Sequence, residues 1–163
     1  MSEAHPFSSN TPVFTVAGRA EGRLGRDLLR LDVREGTLGL RTLVAHFGAI
    51  APDSDGSAEQ LSYLDGQVLD LGSEIGVTIG PHGGERKIFT GAVSALEVCF
   101  EEGEVPYVSV FAEDALMRLR MTTRTATYPD ASDADVVTAV AGEHGLGAQP
   151  DVDGPTYPVI QQW

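Results

Sequence analysis

The side chains able to do chemistry are few in this chain, and they stand apart. Cys99, the only cysteine, sits in the apolar stretch Leu96-Glu97-Val98-Cys99-Phe100. No basic neighbour is there to lower a thiol pKa, so it reads as a buried, inert thiol rather than a nucleophile. The four histidines, His5, His46, His82 and His144, share no HxH or HxxxH spacing. A zinc site needs three or four converging ligands, so no metal ligand is expected. Glu101-Glu102 is the best candidate for a paired-carboxylate site, but Gly103 and Glu104 follow it in a turn. Solvated carboxylates do not acquire the separated pKa values that divide acid from base. The run from Gly80 to Lys87 has the glycines and lysine of a phosphate loop, yet it lacks the G-K-[ST] ending and leads into a strand. No G-x-S-x-G nucleophile motif occurs. The expectation is a non-enzyme with no catalytic residues, no cofactor-binding residues, no metal ligands and no cofactor.

Composition narrows the remaining classes. The chain has 163 residues, 42% hydrophobic and 21% charged, values of a folded body large enough for one domain or a domain and part of a second. Its formal net charge of −13 repels phosphate backbones and anionic lipid at long range, so direct nucleic-acid binding is not expected. A single cysteine allows no intrachain disulfide. No apolar run approaches a membrane span, and no Sec-type signal peptide precedes the first strand.

Periodicity then predicts mostly strands. Met1 to Asn10 reads as a disordered polar tail, Val13-Phe14-Thr15-Val16 as a strand, and Gly18 to Gly25 as a loop. Leu29, Leu31 and Val33 alternate with Arg30 and Asp32, the two-residue period of a half-buried strand, and Leu38 to Ile50 continues as a second long strand in a hairpin or meander. Ala51 to Ser57 is an exposed loop, and the mixed pattern from Ala58 to Leu71 fits no one period. Ile75, Val77 and Ile79 form the next strand, and a Gly83-Gly84 turn leads to the long run Lys87 to Phe100. Within that run the apolar phase changes: Phe89, Gly91 and Val93 share one side, and Leu96, Val98 and Phe100 the other. A bulge near Ser94 reconciles the halves and bends the sheet toward closure. Glu101 to Glu104 turns the chain, Tyr107 to Ala112 returns antiparallel, and Glu113 to Arg120 has the period of a short helix. After extended Thr122 to Tyr128, Ser132-Asp133-Ala134-Asp135 has the spacing of a capping box. Val136, Val137 and Val140 follow as an apolar stripe, with Gly142 or Gly145 as the stop. One helix and one extended piece after residue 129 do not make a core of their own, so the sequence reads as cut inside a second unit. The expected organisation is a domain over residues 11–128 and an incomplete α/β unit over 129–163.

Three motifs carry a family resemblance: Ile75-Gly76-Val77-Thr78-Ile79, the F-x-G-x-V strand Phe89-Thr90-Gly91-Ala92-Val93, and the D-A-L-x-x-L segment Asp114-Ala115-Leu116-Met117-Arg118-Leu119. In order and residue type they resemble the N-terminal tube-like domain of hub proteins of contractile injection systems, the VgrG and phage late-control D family. Asp133 to Val137 and Gly145-Leu146 look like the helix and Gly-Leu that follow the first barrel there. The resemblance implies a mainly β fold: a tube-like antiparallel β-barrel with a short helix, followed by part of an α/β segment. It implies a structural baseplate hub connecting the inner tail tube to a central spike. The implied partners are copies of itself in a homotrimer, the tail-tube protein, and the spike tip and baseplate proteins, with no direct nucleic-acid binding and no membrane anchor. The implied location is a phage-tail-like particle assembled in the cytoplasm and released with it. No catalytic residues are implied. Phe89, Gly91 and Val93 are expected in the barrel core, with Gly91 intolerant of bulk. Two other readings remain open from the residues: a hexameric tail-tube protomer and a cell-wall-degrading enzyme domain of the same particle.

Overall fold

Leu43, Ala45 and Phe47 are buried while Thr42, Val44, His46 and Gly48, which alternate with them, are half-buried, so the strand Thr42–Gly48 turns one face to a core. That alternation organises the first of two units in the computed structural model, which describes residues 11–37, 39–52, 59–81 and 83–163. The expected tail at Met1 to Asn10, most of the loop at Ala51 to Ser57, His5 and His82 lie outside the described residues.

The first unit, Met1–Asp114, contains β1 (Val13–Val16), β2 (Arg19–Ala20), α1 (Gly22–Asp27), β3 (Leu28–Arg34), β4 (Thr42–Gly48), β5 (Ile50–Pro52), β6 (Glu59–Leu61), β7 (Glu74–Ile79), β8 (Arg86–Cys99) and β9 (Tyr107–Glu113). Seven strands form one antiparallel sheet in the order β2-β1-β7-β8-β9-β4-β3, and β5 pairs with β6 in a small ribbon. Among the described residues the two outermost strands of the large sheet are not paired with each other. The sheet is nonetheless rolled. Phe14 on β1 and Phe47 on β4 are four strands apart, about 19 Å in a flat sheet, yet their rings meet edge to face at 5.3 Å between centroids.

Two bulges contribute to that roll. Register shifts between Val93 and Ala95, the place where the apolar phase of β8 changes, and an earlier shift leaves Ile88 as the extra residue opposite the Val77–Thr78 step. Each adds local twist. The inward face gathers Phe14, Phe47, Phe89, Ile75, Val77, Val93, Val108 and Val110, all but fully buried, and the segment after β6 covers it with Tyr63, Val68 and Leu69.

Several expectations change on contact with the tertiary structure. Gly18 to Gly25 is not a loop: it holds β2 and α1, the helix starting where the Glu21 side chain accepts from the Arg23 N–H. Burial of Leu24 holds this weak, glycine-rich helix in place, which local propensity alone would not. Leu29 does not share a face with Leu31 and Val33; a register shift between Leu28 and Arg30 turns it outward, 62% exposed. The strand expected from Leu38 begins at Thr42. Glu113 belongs to β9 rather than a helix, because it pairs with Thr42.

The second unit, Ala115–Trp163, holds α2 (Met117–Arg120), β10 (Ala126–Ala131), α3 (Asp133–Glu143) and β11 (Tyr157–Gln162). The capping box is formed at the start of α3: the Asp135 N–H donates to Ser132 Oγ and the Ser132 N–H to the Asp135 carboxylate. At its end the Leu146 N–H reaches the Ala141 carbonyl and the Gly145 N–H the Gly142 carbonyl, with Gly145 left-handed at φ +67°. This is a Schellman stop, and it explains why the helix ends before Gly145. β10 and β11 pair antiparallel from Ala126 opposite Gln162 to Ala131 opposite Tyr157, so the chain after Leu146 ends in a strand.

Candidate functional site

Three of the residues first considered for chemistry, Cys99, His46 and Glu101, are brought by the sheet to one face around Tyr107. Cys99 and Ser109 lie on the outward face of β8 and β9, sulfur to hydroxyl at 3.8 Å, with Ser109 buried. Tyr107, opposite Cys99, donates to the Glu101 carboxylate at 3.0 Å. The neighbouring Cys99 thiol, then Glu101, push its phenol up to about 12. His46 stacks on the Tyr107 ring at 5.0 Å between centroids, the two rings nearly parallel, from the adjoining β4. Outward from it on β3, Arg30 pairs with Asp32 at 2.6 Å, and the guanidinium lowers that carboxyl's pKa. These are short polar contacts along one sheet face, with no nucleophile held against a base. Among the described residues no three His, Cys, Asp or Glu side chains converge as metal ligands. Glu102 and Glu104 are exposed in the β8–β9 turn, and His144 caps the end of α3.

Inside, the geometry is that of a wall. Phe89 and Val93 are buried in the core. A Cβ on Gly91 would lie 2.2 Å from the Glu113 carbonyl oxygen and 2.7 Å from the Phe89 ring, so β8 and the end of β9 approach there more closely than any side chain allows. Gly76 is similar: its Cβ would fall 2.5 Å from Thr15 Oγ1 across the β1–β7 pair.

Sequence reading missed the polar anchor of this wall. Tyr63, buried and held at φ +71°, donates to Asp27 Oδ2 at 2.5 Å, and Asp27 pairs with Arg26 at 2.6 Å. Arg26 first, and then the Tyr63 hydroxyl, hold the Asp27 carboxyl below its ordinary pKa against partial burial. Burial and the same carboxylate push the Tyr63 phenol well up. The contact joins residues 36 apart, so no local spacing announces it. In the second unit, Leu116, Leu119, Val136, Val140 and Leu146 line an apolar groove of about 440 Å³. No helix among the described residues is long and apolar enough to cross a membrane.

Residues 46–162 match the model of the Alg8 N-terminal domain family, which is most of the chain. The chain belongs to the Alg8 N-terminal domain family. This family member also shares its fold with two solved tail proteins. One is the 43 kDa tail protein of prophage MuSo2 from Shewanella oneidensis, with a TM-score of 0.59 at 17% identity over 94% of this chain. The other is the tail protein from Neisseria meningitidis MC58, with a TM-score of 0.52 at 13% identity over 82% of this chain. The chain spans 45% of the first and 34% of the second, so each of those proteins is more than twice as long as the part it shares. At these identities the likeness is one of fold. No curated protein matches the chain in sequence.

Proposed function

We propose that the chain is a structural component of a phage tail or contractile injection particle, acting in the baseplate hub that joins the inner tail tube to a central spike. The observation that carries this reading is the fold shared with two tail proteins, which takes in 94% of the chain in one of them. The rolled sheet supports it physically, because a sheet whose margins meet through Phe14 and Phe47 is suited to be one segment of a tube-like barrel wall. The full-length protein is a trimer in this reading, with the tail-tube protein on one side and the spike tip and baseplate proteins on the other. Its work is assembly rather than turnover. The net charge of −13 fits a part that lies beside a conduit without holding nucleic acid.

Deletion of the coding sequence tests the reading. Lysates should then lack complete contractile tails by negative-stain electron microscopy, with tails restored by the gene in trans. Normal numbers of intact tails from the deletion strain would rule the hub role out.

A further inference from the structure

We infer that the apolar groove of the second unit is a docking site for an amphipathic helix of a partner protein, lying antiparallel to α3 with its acidic first turn toward Arg118 and its basic last turn toward Asp133. The inference stands apart from the tail reading. α3 carries Val136, Val137 and Val140 along one stripe, yet Ala141 is its only buried residue and Val137 is 49% exposed. Leu119 of α2 and Leu146 face the same groove, and the chain from Gly147 to Pro150 lines a further flank. The direction of that flank is fixed at both ends. The Leu146 N–H is tied to the Ala141 carbonyl at the C-terminal end of α3, and Gly154 lies beside Asp133 at the N-terminal end, where a Cβ would come 3.8 Å from the Asp133 carboxylate. The chain after α3 therefore runs back along the helix, and the groove of about 440 Å³ follows α3. A hollow lined in this way by apolar side chains receives the apolar stripe of a helix.

Charge sets the direction of the occupant. Arg118 lies against Gly145 at the C-terminal end of α3, its guanidinium 3.8 Å from where a Cβ would stand, and Arg120 follows it in α2. Arg124 reaches the same end, pairing with Glu143 at 3.2 Å. These are all the Lys and Arg residues of the unit, and Glu143 is the acid that accompanies them. His144 caps α3 at that end as well. At the other end stand Asp133 and Asp135 in the first turn of α3, Asp130 just before its cap and Asp153 beside Gly154, with Asp151 on the chain that leads there from the groove wall. The groove is thus basic at one end and acidic at the other. A helix docks best with acids in its first turn and bases in its last, the order its own dipole favours. An anionic membrane or a nucleic acid meets arginines at one end only and is repelled by the aspartates. A second copy placed groove to groove offers a hollow to a hollow and fills neither.

The test uses the full chain and three fluorescein-labelled synthetic helices of about four turns, with binding read by fluorescence anisotropy at low and physiological salt. The forward peptide has leucines at helical spacing, glutamates in its first turn and lysines in its last. The second peptide exchanges the two charged ends, and the third replaces the leucines with serines. The forward peptide should bind, the charge-exchanged one about fivefold or more weakly at low salt, and the serine one not measurably. On the chain, Val137→Ser should weaken the forward peptide about fivefold or more, and Arg118→Glu with Arg120→Glu should invert the preference between the two leucine peptides. All three substituted side chains are exposed, and circular dichroism checks that each variant folds. The inverted preference is a gain of binding that a damaged unit does not produce. If both leucine peptides bind wild type equally and Val137→Ser changes neither, the groove is not the contact and the inference falls. Failure of the forward peptide to bind at about 1 mM overturns it too. If instead wild type dimerises in analytical ultracentrifugation and Val137→Ser dissociates it, a second copy covers the groove and the inference is overturned.

Discussion

The ring of Phe14 meets the ring of Phe47 edge to face at 5.3 Å, although β1 and β4 are separated by three strands of the sheet. The contact is available only to a sheet curled far enough for its margins to face each other. Tyr63 extends it, with its ring 5.9 Å from that of Phe47. Replacing Phe47 with Ala removes the middle ring and leaves a cavity, so unfolding free energy should fall by about 3–5 kcal/mol. Denaturant melts followed by far-UV circular dichroism read the change; a loss under about 1 kcal/mol would show that the margins do not depend on this cluster.

Gly91 is the second lever. A methyl group there would overlap the Glu113 backbone, which cannot rotate away as a side chain could. Gly91→Ala should destabilise by about 1–3 kcal/mol or more through overpacking, whereas Ala at Gly36, where a Cβ meets nothing, should be near neutral. Equal melting of the two variants would remove the close approach of β8 and β9 from the account.

Acid should loosen the Tyr63 anchor. Asp27 has its folded pKa lowered from 3.8, chiefly by Arg26, so its contribution to stability is complete above that ordinary value and is lost as pH falls through the depressed one. The wild type should therefore lose stability below about pH 4 more steeply than Asp27→Asn, whose side chain does not titrate. Tyr63→Phe removes a hydrogen bond to a charged group and should cost about 1.5–3 kcal/mol at neutral pH. Parallel pH–stability curves for wild type and Asp27→Asn would contradict the assignment.

In the second unit the capping box is open to test on its own. Ser132→Ala takes away the acceptor for the Asp135 N–H and should cost about 1 kcal/mol. Ser132→Asp keeps an acceptor and should recover much of that loss. Amide exchange at Asp135 and Val136 reads the fraying directly; unchanged exchange in the alanine variant would show that the cap does not hold this end.

How much of this was legible beforehand follows the range of each interaction. The β8 bulge was readable at Ser94 because an apolar phase change is written in consecutive residues, and the α3 cap was readable because Ser132 and Asp135 stand three apart. The Gly91 restriction was anticipated from its place in an apolar strand, and the close neighbour proved to be Glu113, 22 residues on. Long-range events were not legible. The α1 helix exists because Leu24 finds the core, Leu29 turns outward because of a register shift against β4, and Tyr63 matters because Asp27 is brought to it. The His46–Tyr107 stack depends on the β4–β9 register in the same way.

Cryo-electron microscopy of purified particles tests the central claim most directly. The account requires density for this rolled seven-stranded sheet at the junction between the tail tube and the spike, in three copies around the axis. Particles complete from tube to spike with this chain absent from the junction would contradict it.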